Sequence, residues 1–271
     1  MIKLDLNYVV ILYSVVILQK FHNNMSLSKN QIKYLSSLHQ KKFRDETGHF
    51  IVEGEKIAAE LLQQQKYKIL SLYALENWIE SNRVQLTNLK IQFHSCSEKD
   101  MERISTLKTA SPVLFVLNKL DLAISDPCKR QNLILESIQD PGNFGTIIRT
   151  ADWFGIENIY CSEDTVELTN PKVIQASMGS FLRVNVNYIN LEFFLVEYAK
   201  IPCYAAVLNG KNAFDLKYPE ELFLMIGNEG NGLSEKILEL PNIAISIPKF
   251  GKAESLNAGI AASILCAKLK M

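Results

Sequence analysis

The pattern of apolar and polar positions in the second half of the chain predicts strands and helices that alternate along the sequence. The predicted strands are Leu133–Ile138, Ile159–Cys161, Val184–Val186, Cys203–Leu208, Leu222–Ile226 and Ala244–Ile247. The predicted helices are Asn143–Phe154, Pro171–Met178, Leu191–Lys200, Ser234–Leu238 and Ser255–Leu269. Strict alternation of this kind indicates a parallel sheet that is covered by helices on both faces.

The pattern before residue 118 is less regular and predicts a small mixed α/β unit over residues 25–117. Its predicted elements are a helix over Asn30–Lys42, a polar turn at 44–48, a strand at Phe50–Val52, a helix over Lys56–Gln64, a strand over Ile69–Ala74 and a helix capped by Ser97. Residues 118–131 are polar and contain one proline, which is typical of a linker or an exposed loop. The chain is therefore expected to hold two domains, at 25–117 and 132–271.

An apolar run at Tyr8–Leu18 stands apart from both units. It is shorter than the roughly 20 residues that a membrane-spanning helix needs. Lys3 is offset by Asp5, and no small-residue cleavage site follows, so the segment does not match a secretory signal. We expect residues 1–24 to be a non-native or poorly ordered extension and expect no stable membrane association. A peripheral strand or helix and a membrane anchor are the alternatives.

Composition places the chain among ordinary globular proteins. Its 271 residues are 48% hydrophobic and 21% charged, enough for one large or two ordinary domains. The five cysteines are widely spaced and form no CxxC pair, so neither a disulfide framework nor a zinc site is indicated. We therefore expect a cytoplasmic protein without a bound metal.

The net charge of +0 conceals an uneven distribution. Residues 1–131 contain 18 basic and 13 acidic residues, whereas residues 132–271 contain 11 and 16. A basic first part suggests contact with a polyanion, although ordinary surface scatter explains the charges equally well. All four histidines precede residue 132, which excludes a Ser-His-Asp triad drawn from the second half alone.

Three glycine- and asparagine-containing turns connect strands to helices in the second half. They are Asp140–Arg149 (DPGNFGTIIR), Ile226–Ser234 (IGNEGNGLS) and Ile247–Asn257 (IPKFGKAESLN). Because such turns lie at the carboxyl ends of parallel strands, they predict one ligand pocket shaped by backbone groups. Asn143, Asn228 and Asn257 are candidates for orienting a hydroxyl group. The glycine spacing matches neither a dinucleotide fingerprint nor a phosphate-binding loop.

These three segments resemble the three motifs of the SpoU (TrmH-type) branch of the SPOUT RNA methyltransferases. The similarity extends over roughly 132–271, and residues 172–180 (KVIQASMGS) resemble a further block. Residues 26–108, which include KKFRDETGHFIVEGEK at 41–56, resemble the substrate-binding domain that precedes the catalytic domain in many members. The resemblance implies a ribosomal-protein L30e-like RNA-binding domain followed by a parallel-sheet α/β domain with a C-terminal trefoil knot.

The resemblance also implies a function. It indicates 2′-O-methylation of a ribose in structured RNA by an S-adenosylmethionine-dependent homodimer, with ribosomal RNA favoured over transfer RNA and with no role for DNA. A non-catalytic RNA-binding protein of the same fold is the alternative from another class. The implied catalytic residues are Asn143, Arg149, Glu229, Ser255 and Asn257, and the implied cofactor contacts are Leu208, Gly227, Ile247 and Leu256. Arginine is effectively always protonated, so Arg149 stabilises charge or anchors phosphate more readily than it acts as a base.

Overall fold

The computed structural model describes residues 26–64, 66–119 and 123–271. The extension predicted over residues 1–24 lies outside this part of the chain, as do residues 120–122 of the predicted linker. Within the described residues, no helix is long and apolar enough to cross a membrane.

The first compact unit contains residues 26–58 and 69–117. Its strands are β1 (His49–Glu53), β2 (Ile69–Leu75), β3 (Phe93–Cys96) and β4 (Val113–Asn118). Helices in this part of the chain are α1 (Lys29–Ser37), α2 (Lys41–Thr47), α3 (Glu55–Leu61), α4 (Glu76–Leu89) and α5 (Glu98–Ile104). The strand order is β1-β4-β2-β3, with β2 parallel to β3 and antiparallel to β4. The predicted mixed α/β character of this unit is confirmed.

The prediction of a single helix followed by a polar turn near residues 30–48 is wrong. Two helices occupy this stretch: α1 ends at Ser37, and α2 occupies the residues predicted to form the turn. Arg44 is buried, and its guanidinium donates a hydrogen bond of 2.9 Å to the carbonyl of Leu38. Gly48 then ends α2 in the left-handed region, at φ 69°. The arginine that suggested an exposed turn is therefore an internal support for the connection between the two helices.

The second compact unit contains residues 59–68 and 118–271. Its strands are β5 (Gln131–Leu135), β6 (Asn158–Cys161), β7 (Asn185–Tyr188), β8 (Cys203–Asn212), β9 (Leu222–Ile226) and β10 (Ile243–Ser246). Its helices beyond residue 130 are α6 (Pro141–Trp153), α7 (Pro171–Ser177), α8 (Leu191–Glu197), α9 (Glu235–Glu239) and α10 (Ala258–Leu269). The order is β10-β8-β9-β5-β6-β7, and all neighbouring pairs are parallel. The predicted parallel sheet is confirmed.

This sheet is buried on both faces, as the alternation of strands and helices predicted. Leu133 and Leu135 point to one face and join a core that includes Phe144 of α6. Ile134 points to the other face and packs in a second core with Phe194 of α8. Since both faces are covered by helices, a ligand can reach the strands only at an edge formed by their ends.

The last helix begins later than the sequence pattern suggested. We predicted a start at Ser255, but α10 begins at Ala258 because the side chain of Asn257 caps it and accepts a hydrogen bond of 3.2 Å from the backbone N–H of Ile260. Ser255 and Asn257 consequently belong to the preceding loop. The hydroxyls of Thr150 and Ser263 lie 2.9 Å apart and join α6 to α10. The trefoil knot stays a prediction.

Candidate functional site

Three strand ends form the edge on which the predicted site residues lie. Strands β5, β9 and β10 run parallel within one sheet, so their carboxyl ends face the same side. The segments that follow these strands carry Asn143, in the first turn of α6, Glu229 and Asn257 respectively. Parallel α/β sheets place ligand sites at such an edge because helix starts and free backbone groups meet there.

The structure joins these three residues in a chain of side-chain hydrogen bonds. The Nδ2 of Asn257 donates to Oδ1 of Asn143 at 2.7 Å. The Nδ2 of Asn143 then donates to Oε1 of Glu229. These contacts connect positions that are 114 and 86 residues apart along the chain. Three of the five residues predicted to be catalytic therefore form one contiguous polar cluster.

The start of α10 sets the direction of this hydrogen-bond chain. Because Oδ1 of Asn257 accepts from the N–H of Ile260, the amide of Asn257 must present its Nδ2 to Asn143. Asn143 must then accept with Oδ1 and donate with Nδ2, and the group that receives this donation is the carboxylate of Glu229. A carboxylate oxygen serves as a hydrogen-bond acceptor, so Glu229 ends the chain in the direction that Asn257 sets.

Local structure fixes Asn143 from its backbone side as well. Asp140 is the N-cap of α6, and its Oδ1 accepts a hydrogen bond of 2.7 Å from the backbone N–H of Asn143. Pro141 occupies the first turn, where its missing N–H costs no helical hydrogen bond. Asn143 is thus held at the helix start, with its side chain directed to the turns after β9 and β10.

The other two predicted catalytic residues do not join this cluster. Arg149 is exposed on α6, six residues beyond Asn143, which corresponds to about 9 Å along the helix axis. Ser255 is exposed in the loop before α10. Both side chains are therefore exposed on the surface, where an external molecule can reach them.

The predicted cofactor contacts belong to strands that are neighbours in the sheet. Gly227 directly follows β9, Ile247 directly follows β10, and Leu208 lies within β8 between those two strands. Leu256 precedes the cap of α10. Leu208 and Leu256 are 71% and 46% exposed, so an apolar ligand surface would have partners at this edge.

Sequence reasoning missed a set of residues that supports the turn after β9. The amide Nδ2 of Asn228, which we expected to orient a hydroxyl, instead donates to the backbone carbonyl of Ser137 at 2.8 Å. Ser137 in turn donates its Oγ–H to Asp164. Burial acts to raise the pKa of Asp164, but hydrogen bonds from Ser137 and Ser162 outweigh it and lower that pKa below its ordinary value. No periodicity or motif in the sequence marks Ser137 for this role.

Comparison with known protein families follows the same division of the chain. The model of the SpoU rRNA Methylase family matches residues 130–267, which include the whole cluster. The chain belongs to this family. A model of the MRM3-like substrate binding domain matches residues 29–114. Among the described residues, no group of His, Cys, Asp and Glu side chains is arranged to hold a metal ion.

Two curated relatives of this SpoU-family protein are matched over most of their length. The chain is 30% identical over 247 residues to the 23S rRNA (guanosine(2553)-2′-O)-methyltransferase RlmP of Bacillus subtilis, covering 90% of this chain and 97% of that protein. It is 31% identical over 247 residues to an uncharacterized tRNA/rRNA methyltransferase of Synechocystis, covering 86% and 88% respectively.

Solved structures show the same architecture over both units. A putative RNA methyltransferase of the TrmH family from Porphyromonas gingivalis has a TM-score of 0.77 and 34% identity, covering 90% of this chain and 98% of that one. An AdoMet-bound rRNA methyltransferase from Sinorhizobium meliloti has a TM-score of 0.81 and 26% identity, covering 91% and 96%. The similarity therefore includes the N-terminal unit as well as the catalytic fold.

Proposed function

We propose that this protein is an S-adenosylmethionine-dependent RNA methyltransferase that 2′-O-methylates a ribose in structured RNA, with ribosomal RNA as the substrate class. The observation that carries the proposal is the hydrogen-bonded cluster of Asn143, Glu229 and Asn257 at the carboxyl edge of a SpoU-family sheet. The match to the Bacillus subtilis 23S rRNA 2′-O-methyltransferase over nearly its whole length supports ribosomal RNA.

We assign the two parts of this activity to the two domains. Residues 25–117 bind the RNA, residues 118–131 link the domains, and residues 132–271 carry the methyltransferase site. The family models support this division, since the substrate-binding model covers 29–114 and the methylase model covers 130–267.

The residues at the sheet edge fit S-adenosylmethionine. Leu208 and Leu256 are apolar and exposed, as a partner for the apolar parts of the cofactor should be. A Cβ built on Gly251 would meet no atom within 4 Å, so the backbone of this loop is open to an approaching ligand. We propose that Gly227 and Ile247 bind the cofactor through backbone groups, with the two leucines packing against it. When bound, the cofactor supplies a methyl group that is attached to a sulfonium sulfur. After transfer of the methyl group, the rest of the cofactor is a neutral thioether.

Transfer of this methyl group would break its bond to sulfur and form a bond to the ribose 2′-oxygen, and the hydroxyl proton would pass to solvent water. The hydrogen-bond chain orients Asn143 at the helix start and holds the carboxylate of Glu229 as its acceptor, so we assign both residues to positioning the acceptor ribose. We assign to Ser255 and Asn257 the shaping of the same site. Positioning and fixed electrostatics account for large rate effects in such group transfers.

Arg149 is assigned to the RNA side of the site. Its exposed guanidinium stabilises the developing negative charge on the 2′-oxygen or anchors the adjacent phosphate. We expect Arg149→Ala to abolish methyl transfer and to leave the affinity for S-adenosylmethionine nearly unchanged, as measured by calorimetry. Arg149→Lys, which keeps the charge but not the forked geometry, should retain part of the activity. Full activity of Arg149→Ala would refute this role.

The substrate can be identified by mapping 2′-O-methyl groups across total RNA from cells with and without the gene. Loss of one modification in ribosomal RNA is the expected result, and loss of one in transfer RNA would redirect the proposal to that substrate. Calorimetry with S-adenosylmethionine distinguishes the enzyme from a non-catalytic RNA-binding protein of the same fold. Absence of binding at millimolar cofactor would favour the latter.

We further propose that the protein acts as a homodimer through its catalytic domain. Exposed apolar side chains on the α6 and α10 side of the sheet support this, since Trp153 is 83% and Ile260 is 49% exposed. Sedimentation of the intact protein should give twice the monomer mass, and Trp153→Glu with Ile260→Glu should shift it to the monomer. A monomeric wild-type protein at micromolar concentration would contradict the dimer.

A cytoplasmic location is proposed from the cysteines. All five are free thiols, and four of them are buried in the apolar cores. Free buried thiols suit a reducing compartment. Fractionation of cells that express a tagged full-length chain tests this location, and recovery in the membrane fraction would contradict it.

A further inference from the structure

The turn that carries Glu229 is organised by the residue immediately before it. The backbone N–H of Asn228 donates to the carbonyl of Gly232 at 3.0 Å, and the N–H of Gly232 returns a bond of 2.9 Å to the carbonyl of Asn228. The side-chain Oδ1 of Asn228 also accepts from the N–H of Gly230 at 2.8 Å and from the N–H of Asn231 at 3.3 Å. One asparagine therefore closes the turn with both its backbone and its side chain.

The same side chain ties the turn to the neighbouring strand β5. Its Nδ2 donates to the carbonyl of Ser137 at 2.8 Å, so both ends of the amide are used. Ser137 lies just after β5 and adopts φ 56°, a left-handed conformation that a non-glycine residue seldom takes without support. Its N–H donates to Oγ of Ser162 at 2.8 Å, and its Oγ–H donates to Oδ2 of Asp164. These two contacts hold the carbonyl of Ser137 in the direction of Asn228.

The far end of the turn, at Ser234, is held by Glu136, the residue just before Ser137. The carboxylate of Glu136 accepts from the N–H of Ser234 at 2.7 Å and from its Oγ–H at 2.6 Å. Ser234 is the N-cap of α9, where the chain leaves the turn. Ser137 thus fixes the entry of the turn on which Glu229 lies, and the adjacent Glu136 fixes its exit.

We propose that Asn228 is a positioning residue that aims Glu229 at Asn143, with the carbonyl of Ser137 as its anchor. The inference rests on the proposed methyl-transfer function and names a residue that acts on the reaction only through Glu229. Closure of the turn does not require the bond to Ser137, because the two backbone hydrogen bonds between Asn228 and Gly232 already close it. The bond instead fixes the turn relative to the sheet.

A double-mutant cycle tests the proposal. Asn228→Ala should lower kcat by about 100-fold, the loss that a displacement of roughly 1 Å causes at a reacting centre. In a Glu229→Ala background, the same substitution should have little further effect, because the residue through which it acts is gone. Asn231→Ala removes an exposed side chain from the same turn and serves as the control with wild-type activity. Equal losses from Asn228→Ala in both backgrounds would overturn the proposal.

Hydrogen exchange supplies a measurement that does not depend on activity. Asn228→Ala should speed amide exchange in the 229–234 segment while exchange in the core strands stays unchanged. The control Asn231→Ala lies in the same turn and keeps every bond of Asn228 and Ser137, so its exchange and kcat should stay near those of the wild type. Unchanged exchange in Asn228→Ala would overturn the proposed role of Asn228, whether or not the wild-type protein transfers a methyl group. Absence of methyl transfer by the wild-type protein would refute the proposed function and would leave the exchange result to be judged by itself.

Discussion

The two ends of the Asn257 amide have separable tasks, and two substitutions distinguish them. Its Oδ1 caps α10, and its Nδ2 donates to Asn143. Asn257→Asp keeps an oxygen for the cap but places a second oxygen against Oδ1 of Asn143. Turning the Asn143 amide over would only move the conflict, because its oxygen would then face the carboxylate of Glu229. Asn257→Ala removes both interactions.

The expected magnitudes follow from these contacts. Asp and Asn are about equally good caps, whereas Ala at a cap costs about 1 kcal/mol of stability. For a folded unit of about 150–250 residues, that cost lowers Tm by about 2–4 °C. Asn257 is exposed, so in Asn257→Asp the two facing oxygens can turn apart into water with little loss of stability. Holding them in the aligned geometry that methyl transfer requires costs about 1–3 kcal/mol. If this cost is felt fully in the transition state, the rate of methyl transfer falls about 5- to 150-fold.

Two assays on the same purified proteins check this reasoning. Thermal unfolding should give Asn257→Asp a Tm close to that of the wild type and Asn257→Ala a lower one. Transfer of a labelled methyl group to RNA from cells that lack the gene should be slowed in both variants. Wild-type activity in Asn257→Asp would refute the assigned direction of the hydrogen-bond chain. A Tm loss equal to that of Asn257→Ala would refute the separation of capping from catalysis.

Two further predictions concern stability. Gly145→Ala should destabilise the catalytic domain by about 1–2 kcal/mol, because its new Cβ would lie 2.5 Å from Cβ of Ala176 and the cost of overpacking exceeds the gain in helix propensity. Chemical denaturation measures this loss, with Gly251→Ala as the control because open space surrounds that glycine. Equal denaturation midpoints for the two variants would contradict the packing argument. Burial lowers the pKa of Lys66 from 10.5 to about 8. Between about pH 8 and pH 10.5 the unfolded chain therefore binds more protons at Lys66 than the folded chain does. The free energy of unfolding of the wild type should rise over this pH range relative to that of Lys66→Met, and the same pH dependence of unfolding in both proteins would refute the prediction.

The sequence predicted the layered architecture well because burial leaves a direct trace in it. Strands covered on both faces are continuously apolar, and Leu222–Ile226 was predicted with the boundaries that the structure shows. Helix boundaries were predicted less well. The start of α10 was placed three residues early because helical spacing continues through Ser255, while the side chain of Asn257 decides where the helix begins.

The cluster could be predicted only as a set of residues and not as a set of contacts. Glycine and asparagine in turns after strands mark the edge of the sheet, but strand order decides which turns meet, and that order does not follow from periodicity. The bond between Asn228 and Ser137 spans 91 residues and depends on β9 lying beside β5. The left-handed backbone of Ser137 leaves no mark in the sequence, because the residue that usually marks such a conformation is glycine.

The capping of α10 by a member of the polar cluster makes the integrity of this helix a condition for activity. Proteins open locally at free energies below that of global unfolding. Opening of the first turn of α10 would withdraw Asn257 and free the amide of Asn143 to rotate, even while the six-stranded sheet remained folded. We therefore expect methyl transfer to be lost at or below the temperature at which the domain melts, because it requires the first turn of α10 to stay closed.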